Sequence, residues 1–374
     1  MQIPITNLAN DLPPVQPAGQ RTTRRMTRQV SIGGIRVGGN APISVQTMTK
    51  TKTADVAGTV AQIVAAAEAG CDIVRVTVND KEAADAMKAI VQQSPIPVVA
   101  DIHFNHIFAL KAVEANVAKV RINPGNIGSR DRIQQVLRAA QDKGIPIRIG
   151  VNSGSLEEDI LNKHGYPTAE ALHESAMRHV AICDEFGFKD VVISVKSTDV
   201  RLMIEAYRLV ARRTDIPLHL GVTEAGTTRI GTIKSAVGIG TLLAEGIGDT
   251  IRVSLTDEPV KEVEVGKEIL RSLGLATRNV ELIACPTCGR LEVDLFAIMA
   301  ELEKRLEGVK KPVKIAVLGC VVNGPGEASE ADIGIAAGKG VGILYRKGKV
   351  VRKVKESEIV DVIVDEVHKF QPET

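Results

Sequence analysis

The chain has no tryptophan, three tyrosines and six phenylalanines, an aromatic fraction of 2% over 374 residues. Platforms on which unpaired bases stack are hard to build from so few rings. Charge is also nearly balanced, with 47 Lys and Arg against 45 Asp and Glu, so the basic surplus of a nucleic-acid protein is missing. No uninterrupted apolar run is long enough to cross a bilayer, and no charged segment followed by an apolar stretch marks a secretory signal. The expectation is a cytoplasmic protein with neither nucleic-acid nor membrane partners. Cysteine is scarce too: five residues, an odd number. Without a secretory signal, such cysteines are expected to be buried thiols or metal ligands and not disulfides.

The length favours two domains, because single cores rarely grow past roughly 250–300 residues. Residues 1–29 hold Pro, Gln and Thr with a basic cluster at Arg21, Arg24, Arg25 and Arg28; they are expected to form a loosely held, solvated arm. From Ile43 a strand–helix alternation begins and recurs eight times. Its strands are ISVQTM from Ile43, IVRVTV from Ile73, PVVADIHF from Pro97, AKVRIN from Ala118, IRIGVN from Ile147, VVISVK from Val191, PLHLGVT from Pro217 and TIRVSL from Thr250. Near-continuous Val/Ile strands between helices indicate a parallel sheet covered on both faces, and eight such units fit a closed TIM-type (β/α)8 barrel over residues 30–274. An open doubly wound sheet is the competitor, but it would normally carry a glycine-rich turn after its first strand, where this chain reads MTKTKTAD from Met48. A smaller α+β domain is expected over 275–374.

Side chains alternate along a strand, so residues two apart share a face. Arg75 with Thr77, Asp101 with His103, Arg121 with Asn123, Arg148 with Gly150 and Asn152, Ser194 with Lys196, and Arg252 with Ser254 then form one polar face. Their aliphatic neighbours form the other, which packs on the helices. The polar set lies in the second halves of the strands, where the reactive face of this fold is found. Arg75, Arg121, Arg148, Lys196 and Arg252 against Asp101 and Glu224 call for a polyanion. The planar fork of arginine suits phosphate oxygens, and a diphosphate meets this demand better than one carboxylate. Asn152 and Ser254 add neutral donors. Asp101 and Glu224 are candidates for proton handling, or neutralise neighbouring arginines.

Cys71 falls in a strand-like run and Cys183 in a helical one, and both read as core packing. The others come together late in the chain, in ACPTCGR from Ala284 and GCVVNGPGE from Gly319. A C-x2-C pair alone is compatible with zinc, an iron–sulfur cluster or a thiol redox pair. Structural zinc wants a fourth ligand, and no further Cys or His is near in sequence. Three thiolates, Cys285, Cys288 and Cys320, suit a [4Fe–4S] cluster with one iron left for an oxygen ligand or substrate. Glu327, after the expected glycine-rich turn 323–327, either caps that iron or is a solvated loop acid.

These stretches, with VVADIHF from Val98, RINPGNIG from Arg121, PIRIGVNSGSL from Pro146, SVKSTD from Ser194, HLGVTEAG from His219 and GIGDTIRVSL from Gly246, resemble the 4-hydroxy-3-methylbut-2-enyl diphosphate synthases of the non-mevalonate isoprenoid pathway, in their compact bacterial form. The resemblance spans roughly residues 30–330. It implies a TIM-type barrel followed by a cluster domain similar to those of sirohaem sulfite and nitrite reductases. It further implies reductive opening of 2-C-methyl-D-erythritol 2,4-cyclodiphosphate, with reduced flavodoxin or ferredoxin as electron donor. On that resemblance Cys285, Cys288 and Cys320 bind the cluster with Glu327 as oxygen ligand. Arg75, Arg121, Arg148, Lys196, Arg252 and Ser254 hold the diphosphate, helped by His103, Asn152 and Asn323, and Glu224 acts near the substrate hydroxyls. Two alternatives are a redox-silent phosphate-binding barrel enzyme with a structural metal, and a cluster-bearing sensor.

Topology adds an expectation about assembly. An eighth helix over roughly residues 258–272 would release the chain near Gly274, at the end of the barrel away from the strand C-termini. A compact domain on so short a link does not easily reach its own barrel's mouth. A homodimer sharing its active sites between subunits is therefore expected, twofold dimers being the commonest closed assembly.

Overall fold

The structure is a computed structural model that describes residues 23–276 and 279–371. The chain divides into two compact units, residues 1–276 and 277–374.

Eight parallel strands build the first unit: β3 (Ser44–Met48), β4 (Ile73–Thr77), β5 (Val98–Asp101), β6 (Lys119–Arg121), β7 (Ile147–Asn152), β8 (Val191–Lys196), β9 (His219–Leu220) and β10 (Thr250–Ile251). Their order around the sheet is β8-β7-β6-β5-β4-β3-β10-β9. A parallel bridge between Ile193 and Leu218 joins the two ends and closes the barrel, so the closed alternative holds over the open sheet. Every expected strand is present at its expected place.

Between the strands lie α1 (Val56–Glu68), α2 (Lys81–Gln93), α3 (His106–Glu114), α4 (Arg130–Asp142), α7 (Val200–Arg213), α8 (Thr228–Ala244) and, after the last strand, α9 (Pro259–Ser272). The β7–β8 connection holds two helices, α5 (Glu158–His164) and α6 (Ala169–Glu185). Asp55, Asp80, Asn105, Thr168 and Asp199 each start a helix by accepting a free backbone N–H of its first turn. Aliphatic residues of both strands and helices form one continuous core between barrel and helix ring.

The lower end of the barrel is covered by an antiparallel hairpin of β1 (Val30–Ile32) and β2 (Ile35–Val37). Its fully buried Ile32 and Val37 pack on Ile73 and Val99, inward-facing residues near the strand starts. The residues leading into it correct the expectation of a solvated arm. Arg24 donates to the carbonyls of Ala41 and Gly248 and pairs with Asp249, and Arg25 donates to the carbonyls of Ala211, Thr214 and Ile216. Arginine's several donors collect these carbonyls at once. Arg28 pairs with Asp215, while Arg21 and the rest of 1–22 lie outside the described residues.

The second unit is a five-stranded sheet, β11 (Glu281–Ala284), β12 (Lys314–Leu318), β13 (Ile333–Gly338), β14 (Val341–Arg346) and β15 (Lys349–Lys355), in that order. The first two pairings are parallel and the last two antiparallel. Alternation divides it cleanly. Ile315, Val317, Ile333 and Ile335 pack on α10 (Leu295–Leu306) and α12 (Ile359–Lys369), and Ala316, Leu318 and Ala336 pack on the other side under α11 (Gly324–Ser329). Residues 324–329 are thus a short helix and not the glycine-rich turn expected from their composition. Pro325 is preset for a first helical turn, and Gly324 lies close against Ala336 and Leu318. No helix among the described residues is long and apolar enough to cross a membrane.

If the hairpin completes the barrel core, Ile32→Ala should lower the unfolding free energy by about 2–5 kcal/mol. Urea denaturation followed by circular dichroism measures it; an unchanged midpoint would show that the barrel does not depend on this cover.

Candidate active site

Residues paired across parallel strands point to the same side of a sheet, so register carries the alternation around the barrel. Arg75 is level with Met48 and Val99, Asp101 with Thr77 and Arg121, Arg121 with Arg148, and Asn152 with Lys196. The expected polar face is therefore the barrel interior. Arg75, Asp101, Arg121, Arg148, Ser194 and Lys196 are all buried there.

Asp101 joins two of these cations, with Arg75 Nε 3.4 Å from its Oδ2 and Arg121 Nη1 3.2 Å from its Oδ1. Burial opposes the carboxylate charge, but Arg75, Arg121 and Arg148 outweigh it and hold the carboxyl at about 2. Burial presses Arg75 down to about 10 against the pull of Asp101. Arg121 also donates to the Gly150 carbonyl at 2.8 Å. It lies flat across β7, and a Cβ on Gly150 would stand 2.5 Å from its Nε. Gly221 gives Lys196 the same room, since a Cβ there would be 2.7 Å from the amine. These two glycines let long cationic side chains cross neighbouring strands.

Arg252 is held from outside the barrel by a carboxylate the sequence did not reveal. Glu262 of α9 is 1% exposed and receives Arg252 Nε and Nη2, each at 3.1 Å, together with the Thr47 hydroxyl at 2.7 Å and the Leu255 N–H at 3.0 Å. Among the described residues no such carboxylate serves Arg148, which is 1% exposed with Nε and Nη1 unpartnered. Burial, reinforced by neighbouring cations, presses the pKa values of Arg148 and Lys196 well below their ordinary values.

Around the upper strand ends, Asn123 exchanges hydrogen bonds with both the N–H and the carbonyl of Gly150. Asn152 and Ser254 are half-buried and His103 is exposed. Glu224 is exposed on the loop after β9 with φ +49°, a left-handed backbone that an L side chain adopts at a cost of about 1–2 kcal/mol. It pairs with none of the barrel cations among the described residues.

Cysteines behave in two ways. Cys71 and Cys183 are buried in the barrel unit, where burial pushes their thiols up to about 11 and about 12. In the second unit, β11 and β12 run parallel with Ala284 level with Val317, so the chain leaves both strands on one side of the sheet. Cys285 follows the first strand and Cys320 the second. The Gly319 N–H points at Cys285 Sγ, 3.5 Å away. Cys288 is lowered by the Arg290 backbone N–H and side chain, and Cys320 by the N–H groups of Val322 and Asn323. Donors that favour thiolates are what a metal-binding cysteine needs. Among the described residues no three Cys, His, Asp or Glu gather closely enough to share a single ion. Glu327 and Asn323 are exposed, the first on α11 and the second at its N-terminal boundary.

Three interior groups escaped the sequence reading. Lys119 and His219 stand one alternation below Arg121 and Gly221, and continuing the period-two rule downward would have found them. Glu262 carried no signal, because a helix residue enters the site only through the packing of α9 on β3.

A closed parallel barrel with a cation-rich interior, followed by an α/β unit carrying three exposed or half-buried cysteines, defines a two-domain barrel protein. Family models agree in detail: the GcpE TIM-barrel domain matches residues 27–267 and the GcpE protein C-terminal domain residues 281–369. The chain belongs to the GcpE family. It is 58% identical to a 4-hydroxy-3-methylbut-2-en-1-yl diphosphate synthase (flavodoxin) of Clostridium perfringens, over 91% of this chain and 98% of that one. It is 55% identical to the protein of the same name from Geobacillus thermodenitrificans, over 94% of each. Among solved structures, a dihydropteroate synthase from Stenotrophomonas maltophilia aligns over 66% of this chain and 97% of its own, at 14% identity and a TM-score of 0.49, too low a likeness to bear on function.

The Asp101 geometry makes a pH-dependent prediction. Asp101→Asn should cost about 3–5 kcal/mol of stability near neutrality, because Arg75 and Arg121 lose their shared carboxylate. The folded-state value lies below the ordinary one, near 3.9, so the contribution is present above that value and fades as pH falls toward about 2. Denaturation of both proteins along a pH series should show the gap closing; a constant gap would remove the charge of Asp101 as its cause.

Proposed function

We propose that this chain is an oxidoreductase that makes 4-hydroxy-3-methylbut-2-enyl diphosphate from 2-C-methyl-D-erythritol 2,4-cyclodiphosphate. The reaction opens the cyclic diphosphate at a carbon–oxygen bond, takes in two electrons and two protons, and releases one water. The observation that carries the reading is the buried excess of cations in the barrel, in a chain of this family. A diphosphate supplies the missing negative charge. Arg75, Arg121, Arg148, Lys196 and Arg252 bind it, with Ser254, Asn152, His103 and Asn323 as further donors. Binding energy of this kind also orients the reacting carbons and keeps water out. Asp101 keeps Arg75 and Arg121 in place, and Glu262 does so for Arg252. Glu224 is the candidate proton donor toward the substrate hydroxyls.

The family points to an iron–sulfur cofactor, and Cys285, Cys288 and Cys320 would hold a [4Fe–4S] cluster, with Glu327 as the oxygen donor to the fourth iron. Such a cluster supplies electrons one at a time. The relatives' name carries flavodoxin, and reduced flavodoxin, or ferredoxin in its place, is the electron donor of this reading. The expected location is cytoplasmic.

The cofactor assignment is tested on protein purified without oxygen. Cys285→Ser, Cys288→Ser and Cys320→Ser should each lose iron, sulfide and visible colour, while Cys71→Ser and Cys183→Ser keep them. A colourless native protein, or a Cys320→Ser variant with full iron content, would overturn it. The native protein should convert the cyclodiphosphate when given reduced flavodoxin; a coloured protein that fails to do so would support the sensor alternative.

The reading includes a homodimer in which the barrel of one subunit works with the cluster unit of the other. Arg148→Ala should weaken cyclodiphosphate binding about ten- to a hundredfold, the worth of a charge-assisted hydrogen bond. Mixing it with Cys320→Ser under subunit exchange should restore activity, because one site per heterodimer then has two intact halves. Verified heterodimers that stay inactive would exclude sharing.

A further inference from the structure

β6 directs two cations into the barrel. Arg121 reaches Asp101, but Lys119, one step deeper, is 0% exposed and its Nζ has no hydrogen-bond partner. The surrounding groups can be named strand by strand. Val99 of β5 is level with it, and Asp101 further up that strand is already shared by Arg75 and Arg121. β7 contributes Arg148, β4 Arg75 and β8 Lys196. β9 contributes His219, fully buried with both ring nitrogens unpartnered, and Gln46 of β3 and Thr250 of β10 add further unpartnered polar atoms. Below lie the apolar Ile32, Val37 and Ile73. Lys119 thus has cations above and beside it and no carboxylate of its own.

A buried ammonium in such surroundings gives up its proton, because desolvation and like charges both disfavour it. Burial first, then Arg148 and Arg75, press Lys119 well below the usual lysine range. An anion on Arg75 and Arg148 offsets the repulsive field that Lys119 feels. We propose that binding of a diphosphate in the barrel is coupled to uptake of one proton by Lys119. The proposal rests on the reading of the barrel as a diphosphate site. Lys119 is a positioning residue in this scheme: it adds a positive charge beneath the ligand only when the ligand is present, and the empty barrel is spared that repulsion. The product makes the same demand more strongly. Both phosphates of the cyclodiphosphate are diesters with one charge each, whereas the opened diphosphate has a terminal phosphate able to carry a second charge above roughly pH 6.

The direction of the pH effect follows. The bound-state value of Lys119 is raised above the free-state value, so the contribution to affinity is full below the free-state value and is lost as pH rises through the bound-state one. Between the two, Kd should weaken by up to about tenfold per pH unit.

The test is calorimetric titration of the cyclodiphosphate into oxidised, anaerobic holoenzyme, which cannot turn over, between pH 7 and 9 in buffers of different ionisation enthalpy. The ligand has no proton that titrates in this range, so the dependence of heat on buffer counts protons taken up by the protein. The wild type should take up about one proton per site, and Lys119→Met should still bind, more weakly, with uptake near zero. Lys119→Gln serves if the Met variant does not fold. Lys196→Met and His219→Gln, which remove the other buried neutralisable groups, should keep the uptake, as should His103→Gln at the mouth. Undiminished uptake in both Lys119 variants, or loss of it in Lys196→Met, His219→Gln or His103→Gln, would overturn the assignment, as would wild-type binding without any uptake. Absence of wild-type binding would instead overturn the diphosphate reading beneath it.

Discussion

Side chains that fill a (β/α)8 barrel are ordinarily branched aliphatics; in this one Arg75, Lys119, Arg121, Arg148 and Lys196 project inward and are buried. Much of the remaining architecture answers to that concentration of like charge. Asp101 is shared by two arginines, Glu262 is brought in from α9 to hold a third, and Gly150 and Gly221 are bare so that long cations can lie across them. Full neutralisation by carboxylates would leave nothing for a ligand to do. Arg148, Lys119 and Lys196 have no such partner among the described residues, and the energy of pairing them is available to an anion. The apolar hairpin below matters for the same reason, since it covers the interior from the end opposite the strand C-termini.

The second unit solves a different problem with equal economy. Two parallel strands ending on the same side of a sheet bring Cys285 close to Cys320, which is 35 positions on in sequence. Backbone N–H groups around Cys288 and Cys320 favour the thiolate, while Cys71 and Cys183 are made inert by burial. Identical side chains thus become activated thiols or core filler according to whether the backbone turns its donors toward them.

Legibility varied with the range of the interaction. Every barrel strand could be placed from runs of Val and Ile, and the inward set from alternation, because both depend on neighbours one or two positions apart. Lys119 and His219 obeyed the same rule but sit in the lower strand halves, away from the expected binding face. Arg24 and Arg25 looked like part of a solvated arm because nothing local shows that carbonyls of three distant segments converge on them. α11 looked like a loop because Gly, Pro and Gly argue locally against a helix; packing under Ala316 and Leu318 decides otherwise.

The sequence by itself determined the barrel, the division into two units, the identity of the inward cations and the separation of three ligand-type cysteines from two buried ones. All of these follow from periodicity, spacing and residue type, which are properties of the chain before it folds. Tertiary structure alone decided which charges are paired and which are left over. Glu262 reaches Arg252 and Asp101 serves two arginines, whereas Lys119 has no carboxylate of its own among the described residues, because the energy of a charge depends on what surrounds it in space and on how much water remains.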